Sequence, residues 1–301
     1  MTSTIHRPDT RRAVATAPDL SRAALPIRRR LANRVATVLI WLAVLVAVVP
    51  LGLVAYTVVV NGGGAMSWEF LTERIPNSYR REGPGMGPAI VGTLLITGAA
   101  SLMAIPLGVF AAIYLNEYGK QKPLARTIRI MADVMTGVPS IVMGLFVYIA
   151  WVLLVGEQSG FAGALALACL MLPVVIRSSE EMLRLVPDEL RQASLALGAR
   201  KWRTILTVVL PAAVSGITSG ALLAVARAAG ETAPIIVVTG ITFTTNTNLF
   251  DGTNTALPAQ IFRNASQPFA GAQERAWGAA LTLIAIVLVF TIISRFIANR
   301  F

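Results

Sequence analysis

Long apolar runs separated by short polar segments are the main pattern in this chain of 301 residues. A helix rises about 1.5 Å per residue and the hydrocarbon layer is about 30 Å thick, so a run of about 20 residues can cross it. Six runs fit or nearly fit that length: 35–60, 88–115, 130–155, 161–176, 212–240 and 277–298. The fourth run is short and needs flanking residues to cross. The pattern predicts an all-α membrane protein with six transmembrane helices.

Several of the six predicted helices contain a proline, among them Pro106, Pro139, Pro173 and Pro234. A proline inside a helix removes one backbone hydrogen bond and bends the rod. Bent helices favour a bundle around a pathway, although packing alone also produces them.

The composition agrees with a bilayer, since 55% of the residues are hydrophobic and only 14% are charged. The net charge of +11 raises the question of nucleic-acid binding. If both termini are cytoplasmic, however, 20 Lys and Arg lie in cytoplasmic segments and five in outer loops. This is the positive-inside pattern of membrane proteins. The charge therefore predicts a multi-pass membrane protein with both termini in the cytoplasm and no nucleic-acid partner. We separately expect the plasma membrane of a prokaryote as its location.

The chain offers little for chemistry on bound substrates. Its one cysteine, Cys169, lies in an apolar run, and its one histidine, His6, lies in the polar N-terminal segment. We therefore expect no catalytic residue, no metal site and no cofactor. Residues 1–34 are arginine-rich and contain three prolines, which predicts a mostly disordered cytoplasmic tail that can touch anionic membrane lipid.

The cytoplasmic segment 180–206 is longer than a simple connection requires. Pro187 followed by Asp188 and Glu189 is typical of a helix start, and Gly198 of a helix end. We expect a short helix with an apolar face there and a second short helix from Arg200. Such a helix either lies in the lipid headgroups or docks into a groove of another protein.

The same segment resembles the cytoplasmic coupling motif of binding-protein-dependent ABC importer permeases. That motif reads E-A-A, three residues, G, nine residues, I-x-L-P. Here the matching residues are Gln192, Ala193, Ser194, Gly198, Leu210 and Pro211. Gln192 replaces the glutamate and Ser194 the second alanine. The resemblance implies a type I importer permease (MetI-like) fold, and a coupling helix that passes the motion of an ATPase subunit to the membrane helices.

Two charged residues lie within the fifth run, Arg227 near its centre and Glu231 four residues later. A cation at the middle of a bilayer costs at least ~2.5 kcal/mol, so Arg227 needs a partner or a cavity. One interpretation is a local ion pair with Glu231. The other is an anion site, because a guanidinium offers two parallel donors to an oxyanion. Arg177, at the inner end of the fourth run, is either an interfacial anchor or part of the same path. Asp133, near the inner end of the third run, is expected to cap or pair with a basic residue.

The stretch R-A-A-G-E-T-A-P, residues 227–234, resembles the signature of the PstA-type permease subunit of phosphate importers. The motifs G-x-G-M-x-P-A-I-V-G-T-L and A-I-Y-L-N-E-Y-G in 83–119 resemble the same family. The likeness leaves out the tail and implies a permease core over 88–299, with 35–60 as an added first helix. It further implies that Arg227 and Arg177, with Glu231, handle phosphate.

The implied partners are a PstC-type permease, a PstB-type ATPase dimer and a PstS-type phosphate-binding protein. The chain has no G-x-x-x-x-G-K-[ST] loop, so ATP is expected on the ATPase subunit and this chain is not an enzyme. The alternatives are a permease for another oxyanion such as sulfate or molybdate, an ion-coupled secondary transporter, and a scaffold or sensor subunit that transports nothing.

Overall fold

The computed structural model describes residues 27–81 and 83–298, and the predicted tail falls mainly outside this part of the chain. The described residues are helical and contain no strand. The helices are α1 (Ile27–Gly63), α2 (Trp68–Thr72), α3 (Gly87–Ile113), α4 (Pro123–Gly137), α5 (Ser140–Val147), α6 (Leu153–Val155), α7 (Gly160–Leu185), α8 (Asp188–Ala196), α9 (Lys201–Thr204), α10 (Leu210–Ala229), α11 (Ala233–Val238), α12 (Leu257–Ala265) and α13 (Ala270–Ala298). Single π-helical turns continue α3 to Tyr118, join α5 to α6, and join α9 to α10.

Five of these rods are long and apolar enough to cross a membrane: Ile27–Gly63, Gly87–Tyr118, Gly160–Leu185, Lys201–Ala229 and Ala270–Ile293. A sixth crossing is the pair formed by α4 and α5–α6, which is bent by 108°. The prediction of an all-α membrane protein with up to six spans is confirmed. The first helix begins at Ile27, eight residues before the predicted start.

The chain forms two compact units, residues 1–55 and 56–301. The described part of the first unit is one apolar helical segment with Pro50 inside it. The second unit holds every other helix, and its centre is the contact of α3 with α7 and of α7 with α10. Small side chains dominate this contact, among them Ala100, Ala104, Ala164 and Ala228. In a bilayer, such residues let helix backbones approach closely, which gains dispersion energy that bulky side chains would prevent.

The four prolines act in two different ways. Pro106 and Pro173 stay inside α3 and α7. At Pro139 the helix breaks instead, because the preceding Val138 takes an extended conformation, as residues before proline prefer (φ −74°, ψ 130°). Pro234 lies in the first turn of α11, where its missing N–H costs nothing. The third and fifth predicted runs are therefore each two helices.

The C-terminal end of α11 is fixed by side chains that bind carbonyls in its last turn and just beyond it. Gln158 Nε2 donates to the Val237 oxygen at 2.7 Å, and Arg263 Nη2 donates to the Gly240 oxygen at 3.0 Å. At the other end, Pro234 packs on α5, where a Cβ at Gly144 would lie 2.7 Å from the Pro234 Cα. The short helix α11 is thus held on both sides of the broken fifth span.

Close approach in the core gives a stability prediction at Gly92 in α3. A Cβ there would lie 1.8 Å from the backbone oxygen of Thr255, so Gly92→Ala forces the backbone apart. We expect a clear fall in the thermal unfolding midpoint of the purified full chain in detergent. Gly98→Ala in the same helix is the control, since no atom lies within 4 Å of its added Cβ, and alanine there should stabilise the helix by about 0.5–1 kcal/mol. Equal midpoints for the two variants would contradict this packing.

Candidate functional site

A cavity of about 240 Å³ lies where two interrupted spans meet the continuous helix α7. The α4–α5 break contributes Val138 and Pro139, the middle of α7 contributes Pro173, and the end of α10 contributes Arg227, with Glu231 just beyond it. The volume is below the ~300–1,000 Å³ of sites for drug-sized ligands. The space suits a small ion better than a large molecule.

Arg227 presents an open guanidinium to this cavity. Its side chain is 71% exposed, and Nε lies 3.7 Å from Glu231 Oε1, which is longer than a hydrogen bond. No hydrogen bond joins this guanidinium to another residue in the described part of the chain. The loose ion pair therefore leaves the donors free for an anion, while Glu231 supplies a negative charge close by.

The fifth predicted run, with Arg227 near its centre, is broken just after this residue. The helix α10 ends at Ala229, so Arg227 is in its last turn, and Gly230 and Glu231 lie in the turn before α11. The Gly230 N–H bonds to the Arg227 oxygen at 3.1 Å, which tightens the end of the helix. Arg227 and Glu231 thus come together across a helix end and not along a helical face.

Arg177 does not line this cavity. Its Nε donates to Asp133 Oδ1 at 2.8 Å, and Nη2 binds the same oxygen. A second carboxylate oxygen, Glu180 Oε2, lies 3.6 Å from Nη1. The sequence-predicted pair of arginines is therefore divided: Arg227 is open at the cavity, and Arg177 is already paired with α4.

Glu180 is the centre of an ion network that the sequence reading missed. This carboxylate is 1% exposed, and it accepts from Arg129 Nε at 2.7 Å and Arg184 Nη2 at 2.6 Å. A buried carboxylate needs such partners because its desolvation is costly. The spacing of Arg177, Glu180 and Arg184 along one helix face was the available signal. The network joins the inner part of α7 to α4.

The coupling segment forms a short helix, α8, as expected. The predicted second short helix is not a separate element. Residues 180–185 belong to α7, and the predicted second helix from Arg200 is the start of a rod that continues into α10. On α8 and the turn after it, Leu190, Leu195 and Leu197 are 44%, 46% and 90% exposed. Three exposed leucines are unusual for a segment with so many charged residues. The surface is suited to contact with another molecule.

The turn after α8 is fixed from both sides. Gly198 has φ +83°, a conformation that other residues rarely adopt. Ser194 Oγ lies 2.9 Å from Thr204 Oγ1, a hydrogen bond between α8 and the buried start of the next rod. Gln192 and Ala193 remain exposed, and Leu210 and Pro211 begin α10. Ser194 is therefore a tie within the turn and not a simple replacement for alanine.

Arg191 ties α8 to the turn that continues α3, and the sequence reading gave it no role. Its Nη2 donates to Glu117 Oε1 at 2.9 Å and to the Leu183 oxygen at 2.8 Å. The Glu117 side chain is buried and that of Arg191 is largely so, 5% and 11% exposed. Glu117 belongs to the A-I-Y-L-N-E-Y-G motif, and nothing in that motif indicates Arg191 as its partner. The pair thus holds α8 against the end of α3.

The sequence also matches known proteins. Residues 104–301 match the family described as binding-protein-dependent transport system inner membrane component. A phosphate transport system permease protein PstA 1 from Mycobacterium tuberculosis (strain CDC 1551 / Oshkosh) is 44% identical over 285 residues, 92% of each chain. PstA from Yersinia pestis is 42% identical over 274 residues, 89% of this chain and 90% of its own.

Solved structures share the fold at low sequence identity. The permease chain in inward-facing MetNI, a methionine ABC transporter, superposes with a TM-score of 0.54 at 19% identity, covering 70% of this chain and 92% of that one. A chain of a bacterial alginate ABC transporter gives 0.59 at 13% identity, covering 90% and 94%. These structures show that the chain has the MetI-like fold of ABC importer permeases. The chain belongs to the binding-protein-dependent transport permeases, and within them to the PstA group.

The Arg191–Glu117 pair gives a prediction about α8. Arg191→Met removes the charge and keeps most of the stem, and breaking a buried pair costs about 3–5 kcal/mol. We expect hydrogen exchange in 188–196 to rise by at least about tenfold, measured by mass spectrometry on the full chain. Arg203→Met, an exposed arginine of the next rod without an ion pair among the described residues, is the control. Unchanged exchange in the Arg191 variant would show that the pair does not hold α8.

Proposed function

We propose that this chain is the permease subunit of an ATP-driven phosphate importer and forms half of its translocation pathway. The observation that carries the proposal is the open guanidinium of Arg227 in a cavity between two broken spans and α7. The chemistry of the site suits phosphate, sulfate and molybdate alike. The names of the PstA relatives support phosphate among them.

In this proposal, Arg227 binds two phosphate oxygens with two parallel N–H donors. Glu231 lies close enough to repel a bound anion and so weakens the grip, which lets the ion leave again. Arg177 takes phosphate only after exchanging Asp133 for it, and the Glu180 network keeps Arg177 in position meanwhile. Phosphate thus meets two arginines in different states of pairing.

The coupling to ATP is assigned to α8. Its exposed leucines dock into an ATPase subunit of the PstB type, and Arg191 and Glu117 transmit the motion to α3. Closure of an ATPase dimer around ATP opens the outer side, where a phosphate-binding protein of the PstS type delivers its ligand, and hydrolysis resets the pathway inward. The other half of the pathway is a PstC-type permease. ATP is bound by the ATPase subunits, this chain carries no cofactor, and both its termini lie in the cytoplasm.

Uptake in sealed vesicles tests the proposal as a whole. Vesicles that hold this chain with its three kinds of partner should accumulate radiolabelled phosphate only with ATP, and omission of the ATPase should stop uptake. Uptake that survives this omission and follows an ion gradient would mean an ion-coupled secondary transporter. Preference for sulfate or molybdate in competition would mean another oxyanion permease.

Substitution of Arg227 tests the anion site. Arg227→Ala removes the charge-assisted contact, worth at least about 2 kcal/mol, so phosphate uptake should fall by about thirtyfold or more while the complex still assembles. Arg227→Lys keeps the charge without the planar pair of donors and should restore only weak uptake. Arg295→Ala, an exposed arginine near the end of α13, is the control. Full uptake by Arg227→Ala would overturn the site.

Substitution of Gly198 tests the coupling helix. Gly198→Val places a β-branched side chain on a residue with φ +83°, which costs about 1–2 kcal/mol and reorients α8. We expect the variant to reach the membrane and bind the other subunits, but stimulation of ATPase activity by phosphate-loaded binding protein should be lost. Stimulation at the normal level would separate α8 from coupling.

A further inference from the structure

A basic surface at the start of α4 has no role in the site described above. A cavity of about 680 Å³ opens beside the first turns of α4, and a second of about 550 Å³ opens between this region and the start of α8. The two cavities share Lys120, Gln121 and Arg129. They therefore form one continuous region, which we call the α4 basic surface.

Cations outnumber acids on the α4 basic surface. The cavities are lined by Lys120, Lys122, Arg126, Arg129, Arg184 and Arg191. The acids that pair with these cations are Glu117, Glu180 and Asp188. Glu117 and Glu180 are buried and serve Arg191, Arg129 and Arg184. The local charge is positive after every ion pair is counted.

The excess charge sits at two exposed side chains. Lys122 and Arg126 are exposed and have no ion pair with any residue in the ranges 27–81 and 83–298. Lys120 is held loosely, 3.9 Å from Asp188, with both groups more than half exposed. Three flexible cations thus surround one opening, and a phosphate group is the kind of anion that such a cluster binds.

An exposed apolar face adjoins these cations on the same helix. Leu124, Ile130, Met131 and Val134 are 57%, 52%, 58% and 60% exposed, while Ala125 and Ala132 on the opposite side are buried. Arg126 lies four residues before Ile130, so the cation and the apolar side chains are neighbours on the helix surface. The following helix departs by 108°. An amphipathic helix of this kind is typical of the boundary between headgroups and acyl chains.

We propose that the α4 basic surface is a binding site for the phosphate headgroup of an anionic phospholipid. Lys120, Lys122 and Arg126 hold the headgroup, and the acyl chains lie along Leu124, Met131 and Val134. A free phosphate ion would satisfy the cations but not the apolar face, so the combination favours the lipid. The occupied site would fix α4, and with it Asp133 and the α4–α5 break at the cavity.

Lipid binding to the full chain tests the proposal. The purified protein in neutral detergent is titrated with phosphatidylglycerol, phosphatidylcholine or inorganic phosphate, and bound molecules are counted by native mass spectrometry. We expect one phosphatidylglycerol to bind in preference to phosphatidylcholine. The double variant Lys122→Gln/Arg126→Gln should lose about twenty-five-fold in affinity, about fivefold for each charge removed. Arg295→Gln, a single exposed arginine at the inner end of another helix, should retain the binding.

Four results would overturn the proposal. Equal loss in the Arg295 control would mean general surface charge, and displacement of the lipid by inorganic phosphate or glycerol phosphate at equal concentration would mean a free-anion site. Absence of the lipid from the complex assembled with the other subunits would mean that a protein covers the surface. A variant with its charges intact, Met131→Ser/Val134→Ser, tests the acyl chains separately, and unchanged affinity in it would leave only the headgroup contact and so reject the site as described.

Discussion

A helix that stops inside a bilayer leaves backbone groups without partners unless protein or water supplies them. This constraint governs the centre of the molecule. The chain interrupts two spans, at Pro139 and after Ala229, and residues of both interruptions line one cavity together with Pro173 of the continuous helix α7. Placing them together confines the irregular backbone to a region lined by protein. The same arrangement provides a polar environment for Arg227, which a regular lipid-facing helix does not.

The ion pairs described above differ strongly in exposure. Glu180 and Glu117 are buried carboxylates, and their pairs with arginines therefore resist separation. At the cavity, the Arg227 side chain is exposed and its pair with Glu231 is loose. The first kind of pair holds neighbouring helices together, whereas an exposed pair exchanges partners easily.

The sequence was sufficient to predict the spans and the short helix α8, because each depends on local composition or spacing. Apolar length predicts a crossing wherever it occurs, and Pro187 and Gly198 bracket α8 directly. The break at Val138 and the end of α10 at Ala229 were not predictable with the same certainty, since Pro106 and Pro173 have the same chemistry and leave their helices intact. Whether a proline bends or breaks a span depends on what packs against it.

Pairing across the fold was the part that local patterns could not give. Asp133 and Arg177 are 44 residues apart and Glu117 and Arg191 are 74 apart, and no spacing rule joins them. The prediction that both arginines handle phosphate was therefore based on residue type and could not say whether each side chain is already paired. The structure adds that one arginine is open and the other occupied.

Two glycines described above are required for unrelated reasons. At Gly92 the obstacle is volume, because the Thr255 oxygen occupies the place of any side chain. At Gly198 the space around an added Cβ is open, and the obstacle is the left-handed backbone conformation, with φ +83°. Asparagine, which tolerates left-handed backbone, is a natural substitute at position 198. No other residue fits at position 92 without moving α3. Substitution is therefore tolerated in the turn after α8 and excluded in the core.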